Sequence, residues 1–167
     1  MKNFLITLVL LFLFQTNLFS QENVISFKLV HKNESDSTYV LTDRNLGKLF
    51  VEQKDILNET DISDANVIVD REKPPWFIES AAKNSGASMI YPQIYINIVF
   101  NGNGKRKLSQ FTSENIGRRV AIIINSELIM APRIMEKIDS GEIKINTGYT
   151  EEEANLIVAQ IKSNISK

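Results

Sequence analysis

Cysteine is absent from this sequence of 167 residues. Disulfide bonds, thiolate metal sites and a cysteine nucleophile are therefore excluded. Histidine occurs once, as His31, so a Ser-His-Asp triad or an imidazole-bearing metal site would have to use that residue. His31 follows a predicted strand over residues 24–30, and we interpret it as an ordinary residue at the end of that strand.

The sequence has no excess of charge of either sign. It contains 19 basic and 20 acidic residues, and its formal net charge is −1. A nucleic-acid-binding domain is expected to be basic, so nucleic acid is not predicted as a partner, and the same argument applies to an anionic membrane surface. Hydrophobic residues make up 43% of the chain, which is enough to build the core of one domain, with or without a small appendage.

Sequence motifs for catalysis and cofactor binding are missing as well. The stretch NGNGKRK is not a P-loop, because Lys105 is followed by Arg106, and it is not a dinucleotide fingerprint, because Lys107 stands where the third glycine belongs. We interpret it as a solvated turn. Asp61 and Asp64 lack the ligand order and the glycine of a calcium-binding EF-hand. The sequence therefore predicts a protein that is not an enzyme and has no cofactor and no metal site.

The N-terminal residues 1–20 have the pattern of a secretory signal peptide. Lys2 provides a positive charge, residues 4–14 are an unbroken apolar run, and Ser20 offers a small residue for cleavage before Gln21. The apolar run is shorter than the roughly 20 residues that a membrane span needs, and an uncleaved anchor is the less favoured alternative. We expect a periplasmic or secreted bacterial protein without a membrane span after cleavage.

Hydrophobic alternation predicts several strands in the mature chain. Strands are expected over residues 24–30, 38–41, 48–52, 66–70, 94–100, 120–124, 127–131 and 141–146. The strand over residues 120–124 is apolar on both faces, so it should be central and covered on both sides. Asn125 and Ser126 should form a two-residue hairpin turn, and Pro132 should end the pairing of the returning strand.

Helices are predicted in three places. A short helix follows Pro75 and closes at Gly86, a second runs from about residue 105 to Gly117, and a third begins after Thr150. Thr150 and Glu153 have the spacing of a capping box, and an apolar stripe follows them at helical spacing. The predicted fold class is α+β, with a small mixed or antiparallel sheet and helices packed on it.

The pattern over residues 92–163 resembles a known family, the head of the first periplasmic domain of SecD, a subunit of the bacterial Sec protein-export machinery. That family shows a helix ending T-x-x-N-I-G-K/R, an apolar strand and hairpin, a return strand ending in A-P, and an E-E-A helix. The matching residues are Phe111, Thr112, Glu114, Asn115, Ile116, Gly117 and Arg118, then residues 120–124, then Ala131, Pro132, Ile134, Ile145, Tyr149, Thr150, Glu152, Glu153 and Ala154. Upstream, Thr60, Asp61, Ile62 and Ala65 match the segment that precedes the head in this family.

The resemblance divides the chain into three parts. They are a signal peptide (1–20), N-terminal strands with a short helical insert (21–90) and a SecD-head-like domain (91–167). The chain departs from the family at the hairpin, where Asn125-Ser126 replaces Asp-Gly, and it lacks the membrane spans of SecD. Proton-driven pulling of a translocating chain is therefore not transferable, and the resemblance implies at most contact with unfolded preprotein.

We therefore expect a binding module whose partner is a protein or a peptide. Met130, Ile134 and Met135 are the candidate contacts for an extended or unfolded polypeptide, because flexible methionine side chains suit varied apolar partners. The alternative interpretation of these three residues is that they pack in the hydrophobic core and contact no partner. The alternative function is that of an assembly component that docks on an envelope complex, with Arg118, Arg119 and Trp76 as the contact surface. The sequence does not predict an oligomeric state.

Overall fold

A computed structural model describes residues 23–72, 80, 83–84 and 92–166 of the chain. The predicted signal peptide, Trp76 and most of the helix predicted before Gly86 lie outside these described residues. Within them, antiparallel strands form two sheets and helices pack against them. The predicted α+β fold class is confirmed.

The first sheet contains six described strands, in the order β2-β3-β1-β7-β8, and β4 also pairs with β1. All of these pairings are antiparallel. The strands are β1 (Ile25–His31), β2 (Thr38–Asp43), β3 (Gly47–Glu52), β4 (Leu57–Asn58), β7 (Arg119–Ile124) and β8 (Glu127–Met130). His31 ends β1, and its Nε2 lies 3.6 Å from the carboxylate of Glu52.

The second sheet contains three described strands, in the antiparallel order β5-β6-β9. They are β5 (Ile62–Asp70), β6 (Gln93–Phe100) and β9 (Glu142–Asn146). Helix α1 (Gly102–Glu114) follows β6, and helix α2 (Glu151–Ile165) packs on β5 and β6. Because β1 pairs with β7 and β5 pairs with β6, each sheet joins strands from both sides of residue 91.

The core is built on both faces of β7, as the apolar run over residues 120–124 predicts. Ile122 and Ile124 belong to the main core, which also includes residues of both sheets and both helices, among them Phe27, Ile96 and Ile161. A smaller second cluster holds Leu49, Val51, Ala121, Ile123 and Ala131. Burial of each large apolar side chain contributes about 1.5–3 kcal/mol, so β7 is a major source of stability.

Helix α1 begins earlier than the sequence pattern predicts, and the interpretation of NGNGKRK as a solvated turn is wrong. Asn101 is the N-cap residue, and its side-chain oxygen accepts hydrogen bonds from the backbone N–H groups of Asn103 and Gly104. The two glycines therefore lie in the first helical turn. Gly104 is buried against Asp61, where a Cβ atom would lie 2.1 Å from the Asp61 carbonyl oxygen.

Strand β5 is also longer than predicted. A single 3-10 turn (Glu59–Asp61), capped by the Asn58 side chain, leads directly into a strand that starts at Ile62 rather than at residue 66. The pairing with β6 shifts register between Ile62 and Asp64. This irregularity breaks the alternation of apolar and polar residues, so the start of the strand leaves no clear period in the sequence.

Helix α2 has the predicted capping box. The Thr150 hydroxyl accepts a hydrogen bond from Glu153 N at 3.3 Å, and the Glu153 carboxylate accepts one from Thr150 N at 2.9 Å. The Thr150 hydroxyl also donates to the Glu153 carboxylate at 3.0 Å, and the bonds that the carboxylate accepts from the Thr150 backbone N–H and hydroxyl hold the pKa of Glu153 below its usual value. The predicted apolar stripe is buried at Ala154, Ile157, Val158 and Ile161.

The hairpin between β7 and β8 turns at Asn125 and Ser126, as predicted. Both residues have positive φ angles, +49° and +64°. Turns of this kind need positive φ at both central positions, which suits Asn-Gly far better than Asn-Ser.

Ser126→Gly should therefore stabilise the protein. We expect a gain of about 0.5–1 kcal/mol in the free energy of unfolding, because glycine adopts positive φ without the steric cost of a Cβ atom. Urea denaturation followed by circular dichroism measures it. Asn125→Gly is the matched control and should gain less, since asparagine tolerates this region of φ. A loss of stability in Ser126→Gly would contradict the prediction.

Candidate functional site

An apolar cavity of about 360 Å³ lies between α1, the first sheet, β9 and the segment that follows β8. We call that segment, residues 131–138, the rim segment. The cavity is lined by Phe27, Leu57, Leu108, Phe111, Thr112, Val120, Ile122, Met130, Pro132, Arg133, Ile134, Met135, Glu136, Ile138, Ile143, Lys144 and Ile145. Its wall is therefore almost entirely hydrophobic, and its charged residues lie on the rim segment and on β9.

The structure brings together the three candidate contacts Met130, Ile134 and Met135, all of which line this cavity. Ile134 is buried and belongs to the wall, whereas the Met135 side chain is 75% exposed. Met130 is half-buried and packs against the main core. The set thus spans the cavity from its wall to the solvent.

The rim segment stays paired with β7 beyond Pro132, so the prediction that Pro132 ends pairing is wrong. Val120 N donates to the Pro132 carbonyl at 3.1 Å, and Ile134 N donates to the Arg118 carbonyl at 2.8 Å. Gly117 N then donates to the Ile134 carbonyl at 2.7 Å. Proline removes only its own N–H donor from this ladder, and its carbonyl still accepts.

Residues 127–134 form an edge of the first sheet. In the described part of the chain, β8 pairs with β7 alone, so the other side of these residues carries no hydrogen-bonded strand. We call that side the outer edge. It runs directly beside the cavity, because Met130, Pro132 and Ile134 belong to both.

The candidate docking residues Arg118 and Arg119 lie at the start of β7, next to the rim segment. Arg118 is exposed and donates to the Asn115 side-chain oxygen at 3.0 Å, whereas Arg119 is half-buried and donates to the Ala131 carbonyl at 2.7 Å. Arg133, which the sequence analysis did not select, pairs with Arg119 across the two strands and donates to the Gly117 carbonyl at 3.0 Å. Trp76, the remaining candidate, lies outside the described residues.

Titratable groups with shifted pKa values lie away from the cavity wall. Burial, with Glu127 and Glu153 nearby, raises the pKa of Tyr149, which lines a separate polar cleft between the ends of β2 and β8. The Ser109 hydroxyl and then Lys137 lower the pKa of Asp139 on the surface. No cluster of three or more metal-ligating side chains occurs among the residues that the structure covers.

A family model supplies the assignment of the second half of the chain. Residues 88–165 match the model described as "SecDF, P1 head subdomain". This chain contains a SecD P1 head-like domain. The resemblance found in the sequence is thereby confirmed, with a start at residue 88 rather than 91 or 92.

Curated relatives of this head domain are much longer proteins. The chain is 35% identical over 69 residues to protein translocase subunit SecD of Desulfurispirillum indicum, covering 41% of this chain and 13% of the relative. It is 37% identical over 60 residues to SecD of Calditerrivibrio nitroreducens, covering 36% of this chain and 12% of the relative. Protein translocase subunit SecDF of Thermus thermophilus matches at 24% identity over 149 residues, 87% of this chain and 19% of that protein.

Solved structures show the same fold outside the head as well. A structure described as that of "a membrane component SecDF that enhances protein export" aligns with a TM-score of 0.59 and 21% identity, over 86% of this chain and 63% of that one. SecDF in a "super-membrane-facing form" aligns with a TM-score of 0.60 and 19% identity, over 84% and 19%. Among the described residues of this SecD head-like chain, no helix has the length and hydrophobicity of a membrane span.

Proposed function

We propose that this chain is a non-enzymatic, exported module of the periplasm that binds extended or unfolded polypeptide during protein export. The observation that carries the proposal is the apolar cavity beside the outer edge of the first sheet. The names of the SecD relatives and the described role of SecDF in enhancing protein export support the same process. Since the chain spans only a small part of those relatives, the proposal covers the head's contact with a client and not their whole activity.

The outer edge and the cavity together suit an extended chain. An unpaired sheet edge can hydrogen-bond to the backbone of an added strand whatever its sequence, while a neighbouring pocket takes alternate side chains. The cavity volume of about 360 Å³ is at the small end for a ligand pocket, and so it fits a few apolar side chains rather than a large cofactor. The exposed Met135 at its mouth can adapt to side chains of different shape.

Amide chemical shifts test this proposal directly. Titration of the mature chain with an unfolded, leucine-containing peptide should shift the amide signals of Met130, Ile134 and Met135, and those of the strand edge around them. Met135→Ser should weaken binding by about threefold to tenfold, because the methionine side chain would be buried by the peptide. Leu156→Ser is the matched control, since Leu156 is 67% exposed on α2, and it should bind as the parent does.

Two outcomes would contradict the proposal. The first is the absence of shifts at these residues at high peptide concentration. The second is capture of one stoichiometric partner from envelope extract, which would support the alternative function of docking on an envelope complex. That function is favoured by Arg118, Arg119 and Arg133, which have no acidic partner among the described residues. That function predicts capture of one stoichiometric partner from envelope extract, whereas the proposed function predicts a mixture of unfolded clients.

A further inference from the structure

We infer that this site selects polypeptide segments in which acidic side chains alternate with large apolar ones. The inference rests on the proposed function and adds to it the chemical class of the client. It comes from Arg119 and Arg133, which we call the arginine pair, and from their place beside the cavity, where Arg133 is itself a lining residue.

The arginine pair is held closely together by the backbone. Val120 N donates to the Pro132 carbonyl and Ile134 N donates to the Arg118 carbonyl, so residues 119 and 133 face each other between these two bonds. Such non-hydrogen-bonded positions have Cα atoms only about 4.5 Å apart in antiparallel sheets, with the side chains on the same face. Two like charges directly opposite each other are destabilising unless something anionic compensates for them.

No carboxylate in the described part of the chain compensates for the arginine pair. Neither guanidinium group has an acidic oxygen within ion-pair distance among the described residues, and the neighbour of Arg119 on the other side, in β1, is Val30. Lys28, on the same face of β1, already has Asp55 at 2.8 Å. The pair therefore presents two cations that are available to an anion.

Both guanidinium groups are fixed at the outer edge. Arg119 reaches across to the Ala131 carbonyl on the neighbouring segment, and Arg133 bonds to the Gly117 carbonyl. Each bond leaves further N–H donors of the same guanidinium group for a ligand, and the planar fork matches a carboxylate. Arg119 is half-buried and Arg133 is exposed. Their fixed positions favour carboxylates on an ordered strand over lipid headgroups, which need no particular geometry.

Alternation follows from the geometry of a strand. Successive side chains of an added strand point to opposite faces of the sheet. Ile134 lines the cavity, and Arg133, which also borders it, pairs with Arg119 at a backbone position that alternates with that of Ile134. A strand docked along the outer edge would therefore place every second side chain at the cavity and the intervening ones at the arginine pair. Apolar residues suit the first set and aspartate or glutamate suits the second.

Peptide affinity tests the inference. Three short peptides of equal length carry leucine at alternate positions, with aspartate, asparagine or lysine between, and fluorescence anisotropy gives their affinities for the mature chain. We expect the aspartate peptide to bind about tenfold more tightly than the asparagine peptide at low salt, and the lysine peptide to bind most weakly. High salt should reduce both the advantage of the aspartate peptide and the disadvantage of the lysine peptide, and it should leave the affinity of the asparagine peptide nearly unchanged.

Variants of the mature chain assign the effect to the arginine pair. Arg133→Gln should lose most of the preference for the aspartate peptide, and the double variant with Arg119→Gln should bind the aspartate and asparagine peptides equally. The asparagine affinity should be unchanged in both variants. Arg133→Lys keeps the charge and loses the fork, so it should keep part of the preference. Arg106→Gln is the matched control, since Arg106 is an exposed arginine of α1 and the same charge is lost. Thermal unfolding confirms that each variant is folded.

Different results would contradict the inference and the proposed function. Equal binding of the aspartate and asparagine peptides by the parent would overturn the inference and leave the proposed function standing. Binding of neither peptide would overturn both. An equal loss in Arg106→Gln would overturn the inference, because the effect would then be one of net charge. Binding to vesicles containing phosphatidylglycerol that is lost in Arg133→Gln, without a peptide preference, would overturn it in favour of a lipid surface.

Discussion

Gly104→Ala is expected to destabilise the protein by about 3 kcal/mol, although alanine is the better helix former. A Cβ atom at this position would lie 2.1 Å from the Asp61 carbonyl oxygen and 2.9 Å from the Asp61 Cβ atom. The atoms that would obstruct the new methyl group belong mainly to the backbone of the turn at Asp61. The same Asp61 carbonyl oxygen accepts a hydrogen bond from Asn101 N at 2.9 Å. The turn and α1 would have to separate, and this would disturb the contacts that hold α1 on the chain before the head, among them the Lys107–Asp61 ion pair.

Gly102→Ala provides the control for this prediction. Gly102 lies in the same first turn of α1, and a Cβ atom there would meet nothing within 4 Å. We expect its stability to be unchanged or slightly raised, and urea denaturation of both variants gives the comparison. Equal stabilities of the two variants would show that the close approach at Gly104 does not matter.

The sequence predicted the elements whose signals are local. Helix α2 has its capping residues and its apolar stripe within one continuous segment, and β7 is an uninterrupted apolar run. The hairpin at Asn125-Ser126 was predicted for the same reason, since a two-residue turn is specified by its own residues and the strands beside it. The fold class could be predicted from these elements, and most of the residues that match the family pattern lie in or beside them.

The start of α1 was missed because its cause is not local. Gly102 and Gly104 favour a turn over a helix, because glycine has a low intrinsic helix propensity. In the structure Asn101 caps the helix, and Gly104 is required because the turn at Asp61, far away in sequence, lies against it. A single sequence shows the cost of glycine in a helix but not the tertiary contact that demands it.

The arginine pair was missed for a related reason. A regular hairpin around Asn125-Ser126 would place Pro132 opposite Arg119, but a register shift between Ile122 and Ile123 places Arg133 there instead. A single bulge in β8 thus converts an ordinary cross-strand contact into two adjacent cations. The net charge of −1 averages over the whole chain and hides this local concentration of positive charge.

Lys107→Met should also cost about 3 kcal/mol of stability, because it leaves a buried carboxylate without its countercharge. The Lys107 ammonium group lies 2.7 Å from Asp61 Oδ1, and the Asp61 side chain is only 2% exposed. Methionine keeps most of the apolar stem of lysine, so the loss should report the charge. Asn103 Nδ2, at 3.1 Å from the same oxygen, is a neutral donor and compensates only in part.

A second substitution separates this charge effect from lost packing. Asp61→Asn in the Lys107→Met background should restore about 1–2 kcal/mol, since it removes the uncompensated charge and keeps an oxygen for the bond from Asn58 N. Chemical denaturation of the parent, both single variants and the double variant gives the coupling between the two sites. A double variant less stable than Lys107→Met would show that the destabilisation is a packing effect.

Lys162→Met is the control for burial. Lys162 on α2 forms an ion pair with Asp64 at 2.9 Å, but the two side chains are 49% and 55% exposed. Water solvates the freed carboxylate there, so breaking this pair should leave the urea midpoint close to that of the parent. The two pairs have nearly the same N–O distance, so burial of the carboxylate is the difference that the experiment isolates. If Lys162→Met lost as much stability as Lys107→Met, the turn at Asp61 would have no special role in fixing the first helix of the head.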